Sequence, residues 1–136
     1  MRQYIYLIFF FLLITLGCRE KHNIEQSEAF VHTDGRDSIS VVLHLVGNTF
    51  QGTYTESRPG GFLITDELSG DVKKDTLLGS LYYTPYKGRN KKRKAFALLK
   101  QNDSYIIGKG ASYIYMGVPY FERETLTFNG HILRKQ

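Results

Sequence analysis

The sequence predicts an all-β protein, an antiparallel meander of about eight or nine short strands forming a small barrel or sandwich. Three observations carry this. Period-2 alternation recurs along the chain: Ile39, Val41, Leu43 and Leu45 fall on one face of a run, Ser40, Val42, His44 and Val46 on the other. Turn dipeptides such as Asp34-Gly35, Gly47-Asn48, Asn102-Asp103 and Asn129-Gly130 separate such runs. Aromatic residues make up 14% and are all Tyr or Phe, beside 13 glycines, a mixture suited to strands and turns. No amphipathic helix pattern competes with it.

In chain order, 29–32 is a short first strand that ends at Asp34-Gly35. Residues 38–46 and 49–55 make a hairpin around Gly47-Asn48, because Gly accepts positive φ and Asn tolerates the left-handed region. Its register turns Phe50, Gly52 and Tyr54 inward. A turn cluster at 57–61 precedes a short strand at 62–65, and 66–75 reads as a loop or irregular edge strand. Residues 76–84 are apolar on both faces, as a central strand is, and Pro85 stops them because it lacks a ladder donor. Strands at 95–99 and 104–108 flank Asn102-Asp103. A Tyr-rich run at 111–116 is broken by Gly117-Val118-Pro119, and 124–128 with 131–133 form a last hairpin around Asn129-Gly130. Glycines 52, 61, 70, 79 and 88 recur every nine residues, read as the cadence of strands and turns.

The N-terminal segment divides the chain further. Arg2 precedes thirteen largely apolar residues, 4–16, too few for the roughly 20 that a membrane-spanning helix needs. That length suits the core of a secretory signal. The expected organisation is a signal peptide at 1–17, a lipidated tether at 18–27 and a single β domain at 28–136. Cys18 is the one cysteine, so intrachain disulfides and two-thiol metal or redox sites are excluded. Gly17-Cys18 resembles the lipobox of bacterial lipoproteins, although Thr15 stands where leucine is usual. The resemblance implies a diacylglyceryl group on the Cys18 thiol, cleavage before it, and attachment to the cell envelope. Arg19 after the cysteine points, by the same resemblance, to the outer membrane.

The formal charge of +5 is local. Six of the eight residues from 87 to 94 are basic: Lys87, Arg89, Lys91, Lys92, Arg93 and Lys94. Without these and Arg2, 11 basic residues face 13 acidic ones. The charge total is therefore no argument for a globally cationic, nucleic-acid-coating protein, and no nucleic-acid partner is expected. The six cations read as an anion-binding loop for anionic lipid, lipopolysaccharide or acidic polysaccharide, with Tyr82, Tyr83 and Tyr86 beside them to stack on sugars. The plainer reading is a solvated hairpin loop extended by its own repulsion.

Other side chains point less sharply to chemistry. His22, His32, His44 and His131 lack metal-ligand spacing, and His44 belongs to an outward strand face. His32 and Asp34 share a strand face without a nucleophile nearby. Asp66, Glu67, Asp71 and Asp75 crowd one predicted loop, without the calcium-loop spacing. Tyr82, Tyr83, Tyr86, Tyr105, Tyr113, Tyr115 and Tyr120 are expected mostly in the core and at the barrel rim. No GxSxG, P-loop or HExxH occurs. No catalytic residues, metal or cofactor are expected.

The strand-and-turn pieces over 38–111 resemble a group of small lipoproteins of Bacteroidota. They are Ser40 to Asn48 (SVVLHLVGN), Gly52-Thr53-Tyr54, Asp75-Thr76-Leu77-Leu78, Phe96 to Asp103 (FALLKQND) and Gly108-Lys109-Gly110. The resemblance implies a lipid-anchored β domain and carries no chemistry; Glu56 and the strongly basic 87–94 segment depart from its pattern. The expectation is therefore a non-enzymatic envelope module for binding or structure. The alternative is a calycin-like barrel that holds a small ligand or inhibits a cell-wall hydrolase.

Overall fold

At Gly47-Asn48 the chain reverses with Gly47 at φ 59°, so that Val46 opposes Thr49 and Leu45 opposes Phe50. The same local rule, a tight turn between alternating strands, builds most of the molecule. The computed structural model describes residues 27–85 and 87–136. The signal segment, Cys18, His22, most of the tether and Tyr86 lie outside the described residues. The strands are β1 (Ser27–Asp34), β2 (Asp37–Val46), β3 (Thr49–Arg58), β4 (Phe62–Lys73) and β5 (Thr76–Tyr83). They continue as β6 (Lys92–Gln101), β7 (Ser104–Ile107), β8 (Ser112–Tyr115), β9 (Val118–Phe121) and β10 (Ile132–Lys135). Eight of them close an antiparallel barrel in the order β1-β10-β7-β6-β5-β4-β3-β2, and β8 with β9 forms a separate two-stranded sheet.

The inward residues of the alternating runs fill the barrel. Phe30, Val41, Leu43, Phe50, Leu68, Leu77, Leu81, Leu98, Tyr105 and Leu133 are all at most 2% exposed and form one cluster. Phe30 meets Tyr105 edge to ring at 4.8 Å, the arrangement that aromatic quadrupoles favour. Eight strands enclose an interior just wide enough for side chains. Here those side chains occupy it.

Three of the regularly spaced glycines lie inside strands, where a turn cadence does not place them. A Cβ on Gly52 would stand 2.0 Å from the Val42 carbonyl oxygen, one on Gly79 2.0 Å from that of Ser69, and one on Gly70 2.4 Å from the Gly79 Cα. The sheet bends too sharply there for any side chain, the device by which barrels turn corners. Gly61 keeps the predicted turn role at φ 77°.

Three predicted elements differ. The 66–75 stretch is not a loop: β4 runs unbroken over twelve residues, paired on both sides, and the chain reverses at Lys74-Asp75 with Lys74 at φ 56°. The break at Gly117-Val118-Pro119 is narrower than expected, because β8 ends at Tyr115 and only Gly117 of the three lies in the turn. Met116-Gly117 is a hairpin turn, both residues at positive φ, and Val118 and Pro119 begin β9. Asn129-Gly130 is not a hairpin. Residues 124–128 form no strand; Thr127 only bridges to Lys109, and β10 pairs with β7 and β1 to close the barrel. Gly130 answers to close approach, since a Cβ there would stand 2.4 Å from the Ile107 carbonyl oxygen.

The barrel has two distinct ends. Ser27, the first described residue, pairs with His44 near the turn at 47–48, and the turns at 74–75 and 102–103 share that end. The turns at 35–36 and 59–61 and the segment 84–91 lie at the other.

Candidate functional site

The basic segment is only partly a loop. β6 begins at Lys92, and Tyr83 pairs with Lys92, Tyr82 with Arg93 and Leu81 with Lys94. Strand alternation therefore splits the run. Arg93 goes to the outer face with Tyr82. Lys92 and Lys94 go to the inner face with Tyr83 and the buried Leu81, at the barrel end remote from Ser27. Lys87 and Arg89 precede the strand and are exposed; Gly88 N–H donates to the Pro85 carbonyl at 2.8 Å.

On the outer face Tyr82 gathers cations. Lys91 Nζ lies 4.9 Å and the Arg93 guanidinium 5.5 Å from the centroid of its ring. Lys91 also approaches Glu67 Oε1 at 3.5 Å, and Glu67 pairs with Tyr82 across β4 and β5. The Tyr82 ring thus holds side chains of this protein, where the sequence suggested a stacking platform for sugars. A polar groove of about 560 Å³ runs from here across the bend of the sheet, lined by His44, Gln51, Thr53, Glu67, Ser69, Ser80, Tyr82 and Arg93. His44 keeps its predicted outward place.

The inner face of the same barrel end is also polar. Asp66 is 7% exposed and pairs with Tyr54 on the neighbouring strand. Burial pushes its carboxyl above the usual range, while a Thr84 backbone hydrogen bond and the charges of Lys94 and Lys91 act against that rise. Tyr54 is pushed up to about 12, first by burial and then by the negative charge of Glu56. Glu56 in turn accepts from Arg58 Nε at 2.7 Å, and Lys94 Nζ lies 4.9 Å from the Tyr83 centroid. Lys94 therefore serves the barrel's own balance of charge. It is not in line with Lys91 and Arg93.

The remaining sequence candidates disperse. Continuous β4 strings Asp66, Glu67 and Asp71 along alternate faces and leaves Asp75 in the turn, so the four carboxylates do not gather. His32 and Asp34 do share a hollow of about 210 Å³ with His131, Glu56 and Arg58. The His32 ring stacks on His131 at 4.5 Å, and its Nδ1 lies 3.0 Å from the Ile132 carbonyl oxygen. Among the described residues no three His, Cys, Asp or Glu side chains come together as a metal site. Of the tyrosines, Tyr105 is core and Tyr83 packs against it, whereas Tyr113, Tyr115 and Tyr120 stand exposed on the β8–β9 hairpin. The sequence reading put most of the tyrosines in the core or rim; these three are elsewhere, because β8 and β9 lie outside the barrel, over β5 and β6. Comparison with family models, curated proteins and solved structures finds no match to this chain.

Proposed function

We propose that the chain is an exported, Cys18-lipidated envelope module that binds acidic polysaccharide in the outer-face groove that runs from His44 and Gln51 to Tyr82 and Arg93. It acts by binding, without catalysis. The observation that carries this reading is the strand register that sets Arg93 beside a polar groove, with Lys91 over the adjacent Tyr82 ring. Clustered cations over a polar hollow match a chain bearing carboxylates and hydroxyls. The packed interior supports a surface site over a ligand held inside the barrel.

The tether favours a polymer over phospholipid headgroups. From Cys18 to Ser27 is nine residues, about 30 Å at full extension. Ser27 lies at the barrel end opposite Lys91 and Arg93, which supports a partner other than the anchoring membrane. The outer-membrane location and the kinship to Bacteroidota lipoproteins belong to the same proposal.

Titration calorimetry of the full chain with a soluble polyuronate, and sedimentation with vesicles containing anionic phospholipid, test it. Salt-sensitive polyuronate binding, reduced at least tenfold by Lys91→Ser with Arg93→Ser and kept by Lys92→Ser with Lys94→Ser, is the expected result. Binding to vesicles alone, to neither, or equal loss in both double variants overturns it. Palmitate labelling lost in Cys18→Ser checks the anchor separately.

A further inference from the structure

The β8–β9 hairpin has one closed edge and one open edge. Glu122 N–H donates to the Ala111 carbonyl at 2.9 Å, which fixes the phase of the ladder. Pairs 113–120 and 115–118 therefore exchange hydrogen bonds, whereas at 112–121 and 114–119 the backbone groups point away from the partner strand. On β9 one of those outward positions is Pro119, which has no N–H to offer. On β8 they are Ser112 and Ile114, each with a free donor and acceptor. All of β8 is exposed, Ile114 at 65% and Tyr115 at 70%. No residue from 111 to 121 is charged, in a chain that is 23% charged. Exposed edges ordinarily carry lysine, proline or a bulge against pairing. β8 carries none of these.

We infer that β8 pairs antiparallel with β8 of a second copy of this chain, about a two-fold axis at Tyr113. The edge is complementary to itself. Ser112 stands opposite Ile114 of the other copy, and each such pair exchanges both N–H···O bonds. The two Tyr113 residues then meet at a non-hydrogen-bonded position, with Cα atoms about 4.5 Å apart. Like charges directly opposite destabilise a strand pair, and this edge has none. The result is a four-stranded sheet with Pro119 on both outer strands, so the assembly closes as a dimer and does not propagate. The exposed tyrosines 113, 115 and 120 become one continuous face. A four-residue pair buries less than the roughly 1,200 Å² of a stable interface, so the dimer is weak in dilute solution and is best trapped covalently.

The full chain with Cys18→Ser, in detergent, carries the test. Tyr113→Cys places two thiols at the axis within disulfide reach. Under mild oxidation it is expected to give a covalent dimer at least tenfold faster than Tyr120→Cys, which shares the hairpin but lies away from the axis. Ile114→Pro removes an outward donor and leaves the β8–β9 ladder whole, as Pro119 opposite it does already; it should cut the cross-linking rate at least tenfold. Ser112→Pro does the same from the other side of the axis and stands in if Ile114→Pro lowers the melting temperature. Equal rates for Tyr113→Cys and Tyr120→Cys, or a rate that survives the proline in a folded variant, overturn the inference.

Discussion

Gly70 and Gly79 oppose each other across β4 and β5 so closely that a Cβ on Gly70 would stand 2.4 Å from the Gly79 Cα. On the other side of Gly70 lies the Phe50 ring, 2.8 Å from the same Cβ position. The barrel wall thus turns on a contact between two backbones, with an aromatic ring closing the space above it. The neighbouring pair, Ser69 and Ser80, lines the polar groove.

Alanine at either position forces backbone apart, since no flexible side chain is available to yield. Gly79→Ala is expected to lose about 3 kcal/mol, the upper range for overpacking. Alanine at Gly35, where nothing lies within 4 Å, meets only the cost of positive φ, about 1 kcal/mol. Chemical denaturation of the two variants checks the order.

The barrel end should report itself in two pH ranges. Tyr54 keeps its proton to about 12 in the folded state and loses it near 10 when unfolded. The native state therefore binds the extra proton, and stability falls as pH rises from about 10 to 12. Tyr54→Phe should flatten that fall, and its absence should remove the latest step of the tyrosinate absorbance titration. Asp66 has the same sign in the acid range. Its folded pKa is raised, so stability is lost as pH rises through the interval between unfolded and folded values and stays lower above it. Asp66→Asn should be at least as stable as the parent at neutral pH and lack this slope. Melting curves at closely spaced pH values read both.

Met116 sits at the tip of the β8–β9 hairpin with φ 48° and is 86% exposed. A long apolar side chain gains nothing there from burial, and the left-handed backbone costs it roughly 1 kcal/mol. Asn-Gly is the pair that such a turn prefers. Met116→Asn is expected to raise the unfolding free energy by about 1 kcal/mol and leave the barrel unchanged, measured by denaturant unfolding.

Local chemistry determined a good deal. The alternation of 38–46 and the Gly47-Asn48 turn specify the β2–β3 hairpin and its inward residues. Asn102-Asp103 specifies β6–β7, and the two apolar faces of 76–84 mark a strand with neighbours on both sides. All-β architecture follows from these, because strand period and turn residues act within a few positions of one another. The local concentration of charge at 87–94 was legible for the same reason.

What the tertiary structure alone decided concerns pairings between distant residues. Nothing near Asn129-Gly130 signals that β10 leaves its neighbour to pair with β1 and β7, about a hundred residues away in the case of β1. Gly52, Gly70 and Gly79 look like turn residues until the strands beside them show why a side chain cannot fit. The basic run divides into Lys91 and Arg93 outside and Lys92 and Lys94 inside only once Leu81 fixes the register, because one residue of slip would exchange the faces. The exposed hairpin at 112–121 has an apolar, strand-forming sequence like that of the core. Its place outside the barrel is set by closure, since β10 completes the eight-stranded wall and leaves β8 and β9 no position in it.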